Sequence, residues 1–341
     1  MNLDMVPEVM KTSKDYRYSR VKVFMNAFNL MLFTGLIILA SDTQAEENKY
    51  KTAKDDDKLH LHKVTENVYA IVGPLGNRSP ENLGNNATFG FVITKEGIVV
   101  IDPGGTYLGA KKIHYVIKTV STLPVKYVIN TGGQDHRWLG NNYFKQQGAK
   151  VIASKDAVND QKTRLKDILF RLSNTAGDKA MKGTEESFAD ITFDSDYAFT
   201  LGETDFEIHH AGGAHSPGDA FVLLPRQEVV FSGDVVYMDR LLSVMSFSSS
   251  KNWVSVFEKL ASYNPKYIIP GHGNPTNLQQ ARKETYGYLT MLRSKVSKFM
   301  DDGGVIQDVS KIDQSEYAYL ENFDLLKGRN VQQVYQEIEW E

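Results

Sequence analysis

Asn130-Thr131-Gly132-Gly133-Gln134-Asp135-His136-Arg137-Trp138-Leu139-Gly140-Asn141 is the stretch of this chain that decides its fold. It follows directly on a short apolar segment, Val125–Ile129, which predicts a buried strand. Strand ends in α/β proteins present side chains to a common crevice, and glycine lets the backbone approach a ligand closely. The stretch therefore predicts a functional site at the end of a strand.

Three later stretches repeat this design of a predicted strand followed by an ionisable residue beside glycine or proline. They are Ala214-His215-Ser216-Pro217-Gly218-Asp219, Ser232-Gly233-Asp234 and Pro270-Gly271-His272-Gly273. We expect His215, Asp234 and His272 to be neighbours, and two imidazoles with a carboxylate are a natural ligand set for zinc. The chain has no cysteine, so a metal site must use histidine, carboxylates and water.

Alternating strands and helices along the chain predict a layered α/β domain. Residues 61–72 alternate polar and apolar side chains as one strand would, whereas residues 98–101 are apolar throughout and predict a buried strand. Residues 154–190 are mostly polar with a helical pattern, and they predict an insertion or lid over the site. Residues 279–300 predict a long helix, and a helical tail follows.

The N-terminal residues predict an export signal. A lead with five lysines and arginines precedes an apolar run at residues 23–40, and Ala45 offers a small residue at a cleavage point. We expect residues 1–45 to be a cleaved signal peptide and residues 46–58 to be a linker. The mature protein would then be periplasmic or secreted. The alternative is an uncleaved membrane anchor, through which alone the chain would contact a membrane.

Charge and motifs narrow the class of partner. The net charge is −3 and the isoelectric point is about 6.3, so the chain lacks the basic field that nucleic acid would require. Neither a phosphate-binding loop nor a serine nucleophile elbow is present in the sequence. The expected partner is a small-molecule substrate.

The order of these motifs resembles the metallo-β-lactamase superfamily over residues 59–288. Asn130-Thr131 and Gly140-Asn141 match the residues that frame the family's His-x-His-x-Asp-His metal motif. The three later stretches match its third histidine, its metal-bridging aspartate and its last histidine. The resemblance implies a four-layer αβ/βα sandwich at residues 59–300 with a helical C-terminal extension at 301–341.

The motif itself departs from the family, and two registers describe the departure. With the framing residues held in place, Gly132, Gln134, His136 and Arg137 fall on His, His, Asp and His. A shift of one residue instead places Asp135 and His136 on Asp-His, and we prefer this shifted register because it keeps the ligand types. Both registers lose the first two histidines.

The loss predicts one metal ion rather than two. The first metal would keep only His215 from the protein, and one imidazole is too little to displace the water shell of zinc. The second metal would have Asp135, His136, Asp234 and His272. We expect one zinc, or another divalent ion, whose bound water has a pKa of roughly 7 and attacks an electrophilic centre such as a carbonyl as hydroxide.

The resemblance also implies roles for the neighbouring residues. Without its metal, His215 would orient the substrate or act as a base, and we count it as catalytic together with Asp135. Arg137 would pair with an anionic group of the substrate. Asp102, in the Asp-rich turn of the family, would order the loop beneath the metal. His114 is predicted at the surface.

The leading hypothesis is therefore an exported metal-dependent hydrolase. The first alternative is a periplasmic binding or accessory protein on the same fold, with an incomplete site and no turnover. The second is redox or sulfur-transfer chemistry at the single metal. Hydrolysis of β-lactams is not favoured, because it resembles sites with both metals loaded.

Overall fold

The computed structural model describes residues 58–341, which form two β-sheets and flanking helices. The predicted signal peptide 1–45 and the linker 46–58, except for its last residue, lie outside the described residues. Within residues 58–341, no helix has the length and apolarity that crossing a membrane would need.

The first sheet contains seven strands. They are β1 (His60–Thr65), β2 (Val68–Val72), β3 (Thr88–Thr94), β4 (Gly97–Ile101), β5 (Val125–Ile129), β6 (Lys150–Ser154) and β7 (Ile191–Phe193). They lie in sequence order, antiparallel from β1 to β4 and parallel from β4 to β7. The prediction of one strand over 61–72 is wrong, because Asn67 adopts a left-handed φ of 65° and turns the chain between β1 and β2.

The second sheet contains five strands. They are β8 (Asp196–Leu201), β9 (Thr204–His209), β10 (Phe221–Leu224), β11 (Val229–Tyr237) and β12 (Tyr267–His272). Their order is β12-β11-β10-β9-β8, and only the β11 and β12 pair is parallel.

The helices cover the outer faces of the two sheets. They are α1 (Tyr107–Lys118), α2 (Asp135–Trp138), α3 (Asn141–Gln146), α4 (Lys155–Met181), α5 (Ser250–Ser262), α6 (Leu278–Ala281), α7 (Gly287–Asp301) and α8 (Phe323–Glu339). A π-helical turn, Arg282–Tyr286, joins α6 to α7, so the predicted long helix is continuous with one irregular turn.

Buried strands explain why four layers form. Successive side chains of a strand point to opposite faces, so an apolar strand needs cover on both sides. In β4, Val99 and Ile101 face the core between the sheets, whereas Ile98 and Val100 pack against Ile113 of α1. The predicted αβ/βα sandwich is confirmed.

The outer face of the second sheet carries the largest apolar cluster. Trp253 of α5, Leu292 of α7 and Val334 of α8 share this cluster with Val236 of β11. Residues 301–341 contain two short 3₁₀ segments and α8, and Leu326 and Val331 are also buried in the cluster, so this segment packs against the sandwich. Each such buried side chain contributes about 1.5–3 kcal/mol.

The predicted insertion at 154–190 is built around α4. The Ser154 hydroxyl accepts a hydrogen bond from the Ala157 amide and caps the helix, which changes direction at Gly177, where φ is 79°. Leu172 of α4 packs with Trp138, which directly follows the candidate site residues in α2. Helix α4 therefore lies against the loop that the site depends on.

His114 corrects a smaller prediction. His114 is one of the buried residues of α1, and its Nδ1 lies 2.8 Å from the Tyr143 hydroxyl. Burial lowers the pKa of His114, with a further contribution from Lys118. This histidine belongs to the packing between α1 and α3 and lies away from the candidate site.

Candidate metal centre

Three buried residues from three elements form the candidate metal centre. Asp234 lies in β11 and His272 ends β12, and these parallel neighbours bring the two side chains together. His136 lies in α2, directly after β5, and reaches them from the first sheet. The prediction that His136, Asp234 and His272 are neighbours agrees with this geometry.

The distances suit a shared cation. His136 Nε2 lies 3.6 Å from Asp234 Oδ2, and His272 Nε2 lies 3.3 Å from Asp234 Oδ1. One ligand atom from each residue lies within 4.8 Å of the other two. Three protein ligands with an open fourth position are the pattern of catalytic zinc sites.

The protonation states also suit a metal. Burial lowers the pKa of His136 to about 4 and holds the pKa of His272 well below its usual value. Burial favours a raised pKa for Asp234, but Arg137 and the two neighbouring histidines hold this pKa well below its usual value. At neutral pH the set is two neutral imidazoles and a carboxylate, the forms that ligate metal.

Buried imidazole nitrogens without a hydrogen-bond partner indicate whether a metal ion would fit the centre. His136 Nε2 and His272 Nδ1 are buried without a hydrogen-bond partner among residues 58–341. A buried polar atom without a partner costs about 1–3 kcal/mol. Coordination would give His136 Nε2 a partner, and His272 Nε2, which lies 3.3 Å from Asp234 Oδ1, is placed to join it, so the residues present fit a divalent ion.

The contact between Arg78 and His136 limits how a metal ion could bind at the centre. Its Nη2 lies 3.1 Å from His136 Nδ1, and because arginine only donates, Nδ1 must accept. The neutral ring then carries its proton on Nε2, the nitrogen that faces Asp234. Coordination through Nε2 would require the proton to move to Nδ1 and Arg78 to withdraw from it.

Asp135 is not part of the three-residue centre. Both of its carboxylate oxygens accept hydrogen bonds from Arg78, which belongs to the loop between β2 and β3. Burial works to raise the pKa of Asp135, but Arg78 and His136 outweigh it and hold that pKa well below its usual value. The prediction of Asp135 as a metal ligand is corrected, because its charge is already matched by a guanidinium.

Arg137 does not face the substrate either. Its side chain is 0% exposed, with Nη2 2.7 Å and Nε 3.2 Å from the two oxygens of Asp234 and Nη1 2.8 Å from Asp102 Oδ2. The remaining N–H groups donate to the carbonyls of Thr88 and Gly271. All five donors are used, so the predicted pairing of Arg137 with a substrate anion is corrected.

Asp102 lies beneath the centre, as expected for a residue that orders its loop. One oxygen accepts from the Thr131 amide and the other from the Thr131 hydroxyl, each at 2.8 Å, and Arg137 donates to the second. Burial raises the pKa of Asp102 to about 6, against the opposing effect of Arg137. Asp102 therefore holds the start of the motif loop and the arginine that supports Asp234.

His215 lines the same pocket as the three-residue centre but is not part of it, and it contacts Gln134. Its Nδ1 donates to the Ser243 carbonyl at 2.9 Å, which leaves Nε2 as an acceptor for the Gln134 amide nitrogen at 2.5 Å. Burial lowers the pKa of His215 to about 4. The ring is therefore neutral at pH 7, and its one lone pair is directed toward Gln134.

These contacts favour the register without a shift. Gln134 reaches His215 and His136 reaches Asp234, as expected if Gln134 and His136 stand at the second His and the Asp of the motif. Asp135 lies between them and turns toward Arg78. The preferred shifted register is therefore corrected.

The position of the first lost histidine is closed by other side chains. A Cβ atom at Gly132 would lie 2.6 Å from Asp219 Oδ1 and 3.4 Å from Ser216 Oγ. The Asp219 carboxylate in turn accepts hydrogen bonds from the Ser216 amide and hydroxyl. The space for a first metal ligand is thus occupied by a hydrogen-bonded aspartate.

A pocket of about 340 Å³ opens onto the centre. Its wall includes four arginines that the sequence analysis did not identify. It also includes Tyr237, whose ring stacks on His272 at 4.6 Å. Part of α4 and part of α8 line its mouth. The arginines are Arg78, Arg171, Arg240 and Arg329.

Comparison with known proteins identifies relatives. The family model for the metallo-beta-lactamase superfamily matches residues 84–272. The metallo-beta-lactamase type 2 of Elizabethkingia meningoseptica is 21% identical over 226 residues, which are 64% of this chain and 80% of that protein.

Solved structures show the same fold. A metallo-beta-lactamase from Pontibacter korlensis has a TM-score of 0.54 and 23% identity, over 68% of this chain and 99% of that one. The inverting sec-alkylsulfatase Pisa1 from Pseudomonas sp. has a TM-score of 0.63 and 16% identity, over 82% of this chain and 50% of that one. At these identities the likeness concerns the fold alone.

Proposed function

The chain belongs to the metallo-β-lactamase superfamily, whose model matches residues 84–272 of 341, and from this membership and its buried centre we propose a metal-dependent hydrolase that works with one ion. Membership supports the metal-dependent hydrolase fold. The single ion, its identity as zinc, and export through residues 1–45 are parts of the proposal.

The observation that carries the proposal is the buried centre of His136, Asp234 and His272. These residues would hold the ion, and a divalent ion held there would supply a water activated for attack near neutral pH. Arg137 and Asp102 fix Asp234 in place, because a ligand that is itself hydrogen-bonded keeps its orientation.

The single ion follows from the two positions beside His215. Gly132 offers no ligand, and the Gln134 amide nitrogen faces His215 Nε2. With a neutral ring and a lone pair on Nε2, His215 is able to accept a proton or hold a substrate donor once Gln134 moves. Its place at the pocket wall supports that role.

A binding protein without turnover is the second candidate. Arg78 pairs with Asp135 and also contacts His136. These contacts favour this candidate, because the Arg78 guanidinium keeps the ring proton of His136 on Nε2, the nitrogen that would have to bind the metal. The two candidates differ in metal content.

Metal analysis of the purified mature protein, dialysed against zinc and then against buffer, tests the proposal. We expect about one equivalent of tightly bound zinc, and its loss in His272→Asn. His209→Asn is a matched control, because His209 pairs with Asp196 away from the centre. Less than a few tenths of an equivalent would sink the hydrolase proposal, and two equivalents would sink the single ion.

A further inference from the structure

The charge of the pocket wall is unlike that of the whole chain. The chain carries a net charge of −3, yet the pocket wall holds four arginines and one carboxylate, Asp135. Arg78 is paired with that carboxylate. Among residues 58–341, the other three arginines have no ion-pair partner, so the pocket has a local excess of positive charge.

Arg240 is the most informative of the three. Its residue is 8% exposed, its Nε is buried without a hydrogen-bond partner, and no carboxylate in the described part of the chain lies within ion-pair distance of it. Burial lowers the pKa of Arg240, and Arg78 adds to this effect, although Tyr237, Asp234 and Glu321 oppose it. A buried charge without a partner is costly, and an anion beside the guanidinium would offset that cost.

Arg171 and Arg329 stand at the mouth on two different helices. Within residues 58–341, the hydrogen bonds of Arg171 of α4 go only to the Asp167 carbonyl of its own helix, and those of Arg329 of α8 only to Met245 Sδ, at 3.8 Å. Both residues are exposed. Exposed cations around a cleft raise the local concentration of anions and speed their entry.

The same wall has apolar parts. Ile168 of α4, Met245 and Leu326 of α8 line the pocket beside these arginines. An inorganic ion would leave this surface uncovered, whereas an organic molecule with one anionic group would use both parts.

We propose that the pocket binds an organic anion whose carboxylate, sulfate or phosphate group is held by Arg240, with Arg171 and Arg329 guiding it in and the apolar wall covering its organic part. This inference rests on the proposed function, because the same molecule is the substrate of the metal centre. Arg240 shares the wall with His272 and Tyr237, so the anionic group would be held next to the reacting position.

Binding to the metal-free protein provides the test. Benzoate, phenyl sulfate and phenyl phosphate are titrated by calorimetry against the full mature protein treated with chelator, with benzamide as the neutral counterpart of benzoate. We expect at least one anion to bind and benzamide not to. The comparison among the three anions shows which oxyanion the site prefers.

Two substitutions locate the binding. Arg240→Gln is expected to weaken the binding of the preferred anion by roughly tenfold or more, which is the loss typical of removing a charge-assisted hydrogen bond. Arg226→Gln is the matched control, because Arg226 is 67% exposed and pairs with Asp205 outside the pocket. Removing an unpaired buried charge should not lower thermal stability, so Arg240→Gln is expected to fold. Arg171→Gln, at an exposed residue, is a second variant, and we expect it to lose less of the anion affinity.

The outcomes separate this inference from the proposed function. Equal binding of benzoate and benzamide, or equal losses in Arg240→Gln and Arg226→Gln, would overturn the anion site. Anion binding together with failure to retain zinc would leave the anion site standing and remove the hydrolase. Retention of about one zinc together with equal binding of benzoate and benzamide would leave the hydrolase proposal standing and remove the anion site.

Discussion

Arg137 binds both oxygens of Asp234, with Nη2 2.7 Å and Nε 3.2 Å from them, and the two side chains are buried at the boundary of the two sheets. The same guanidinium reaches Asp102 and the Thr88 carbonyl in the first sheet and the Gly271 carbonyl in the second. The arginine therefore joins the sheets at the point where the metal centre lies.

The substitution Arg137→Gln tests whether Arg137 holds the two sheets together. The substitution leaves the carboxylates of Asp102 and Asp234 buried without their cation, which costs about 3–5 kcal/mol of unfolding free energy. Urea unfolding of the metal-free protein measures it. Arg226→Gln, at an exposed pair, should change stability by less than about 1 kcal/mol, and equal effects of the two variants would contradict the role of Arg137.

Arg78→Gln should increase zinc affinity. Arg78 donates to His136 Nδ1 and so keeps the ring proton on Nε2, and its charge also repels a cation at the centre. With both effects removed, we expect zinc to bind roughly tenfold tighter in competition with a chelating dye. Arg282→Gln, at a pair with Glu258 outside the pocket, is the control. Weaker binding in Arg78→Gln would show that Arg78 supports the centre.

Zinc retention should extend to unusually low pH. Protons compete with zinc for an imidazole only near and below its pKa, and burial lowers the pKa of His136 to about 4. The ring is therefore neutral down to about pH 5, and zinc should be retained from pH 7 to 5 and lost as the pH falls through 4. A histidine of ordinary pKa, about 6.5, would be losing zinc already between pH 7 and 6.

Dialysis across this range followed by metal analysis gives the profile. Calorimetry of zinc binding at pH 6.5 in buffers of different ionisation enthalpy gives a second measure, with almost no proton released by His136. Release of about half a proton from His136, which an ordinary pKa of about 6.5 would give at this pH, would mean that its pKa is not lowered. Zinc loss centred near pH 6.5 would carry the same meaning.

Gly132→His should not restore a second ion. The new Cβ would lie 2.6 Å from Asp219 Oδ1, and Asp219 is itself held by Ser216. We expect a loss of about 1–3 kcal/mol of stability, typical of overpacking, with zinc content still near one equivalent. Gly76→Ala is the control, since nothing lies within 4 Å of its added Cβ. Two bound equivalents would show that the first site is latent.

The strand ends of the site were predictable and the directions of several side chains were not. Apolar runs such as 98–101 mark buried strands, and ionisable residues directly after strands mark the crevice, so Asp234 and His272 followed from local pattern. Asp135 and Arg137 flank His136 in one short helix, and only the tertiary positions of Arg78 and Asp102 decide where each points.

The arginines of the pocket show the same limit. Arg78 comes from a loop and Arg329 from the C-terminal helix, and neither has a periodic pattern that places it at the site. His114 was misplaced because a single polar residue on a helix face gives no sign of a hydroxyl partner, here Tyr143, on another helix. Such contacts depend on packing between elements that lie far apart in sequence.

The five satisfied donors of Arg137 bear on how this site can change over generations. Some proteins fold only when a metal ion is bound, and in these proteins the loss of a metal ligand also prevents folding. Here an internal cation joins the sheets, so ligand positions such as 132 and 134 can be exchanged without dismantling the scaffold. The contacts of Arg137 therefore make the site evolvable, because a new activity can arise in a pocket whose structure does not depend on the previous activity.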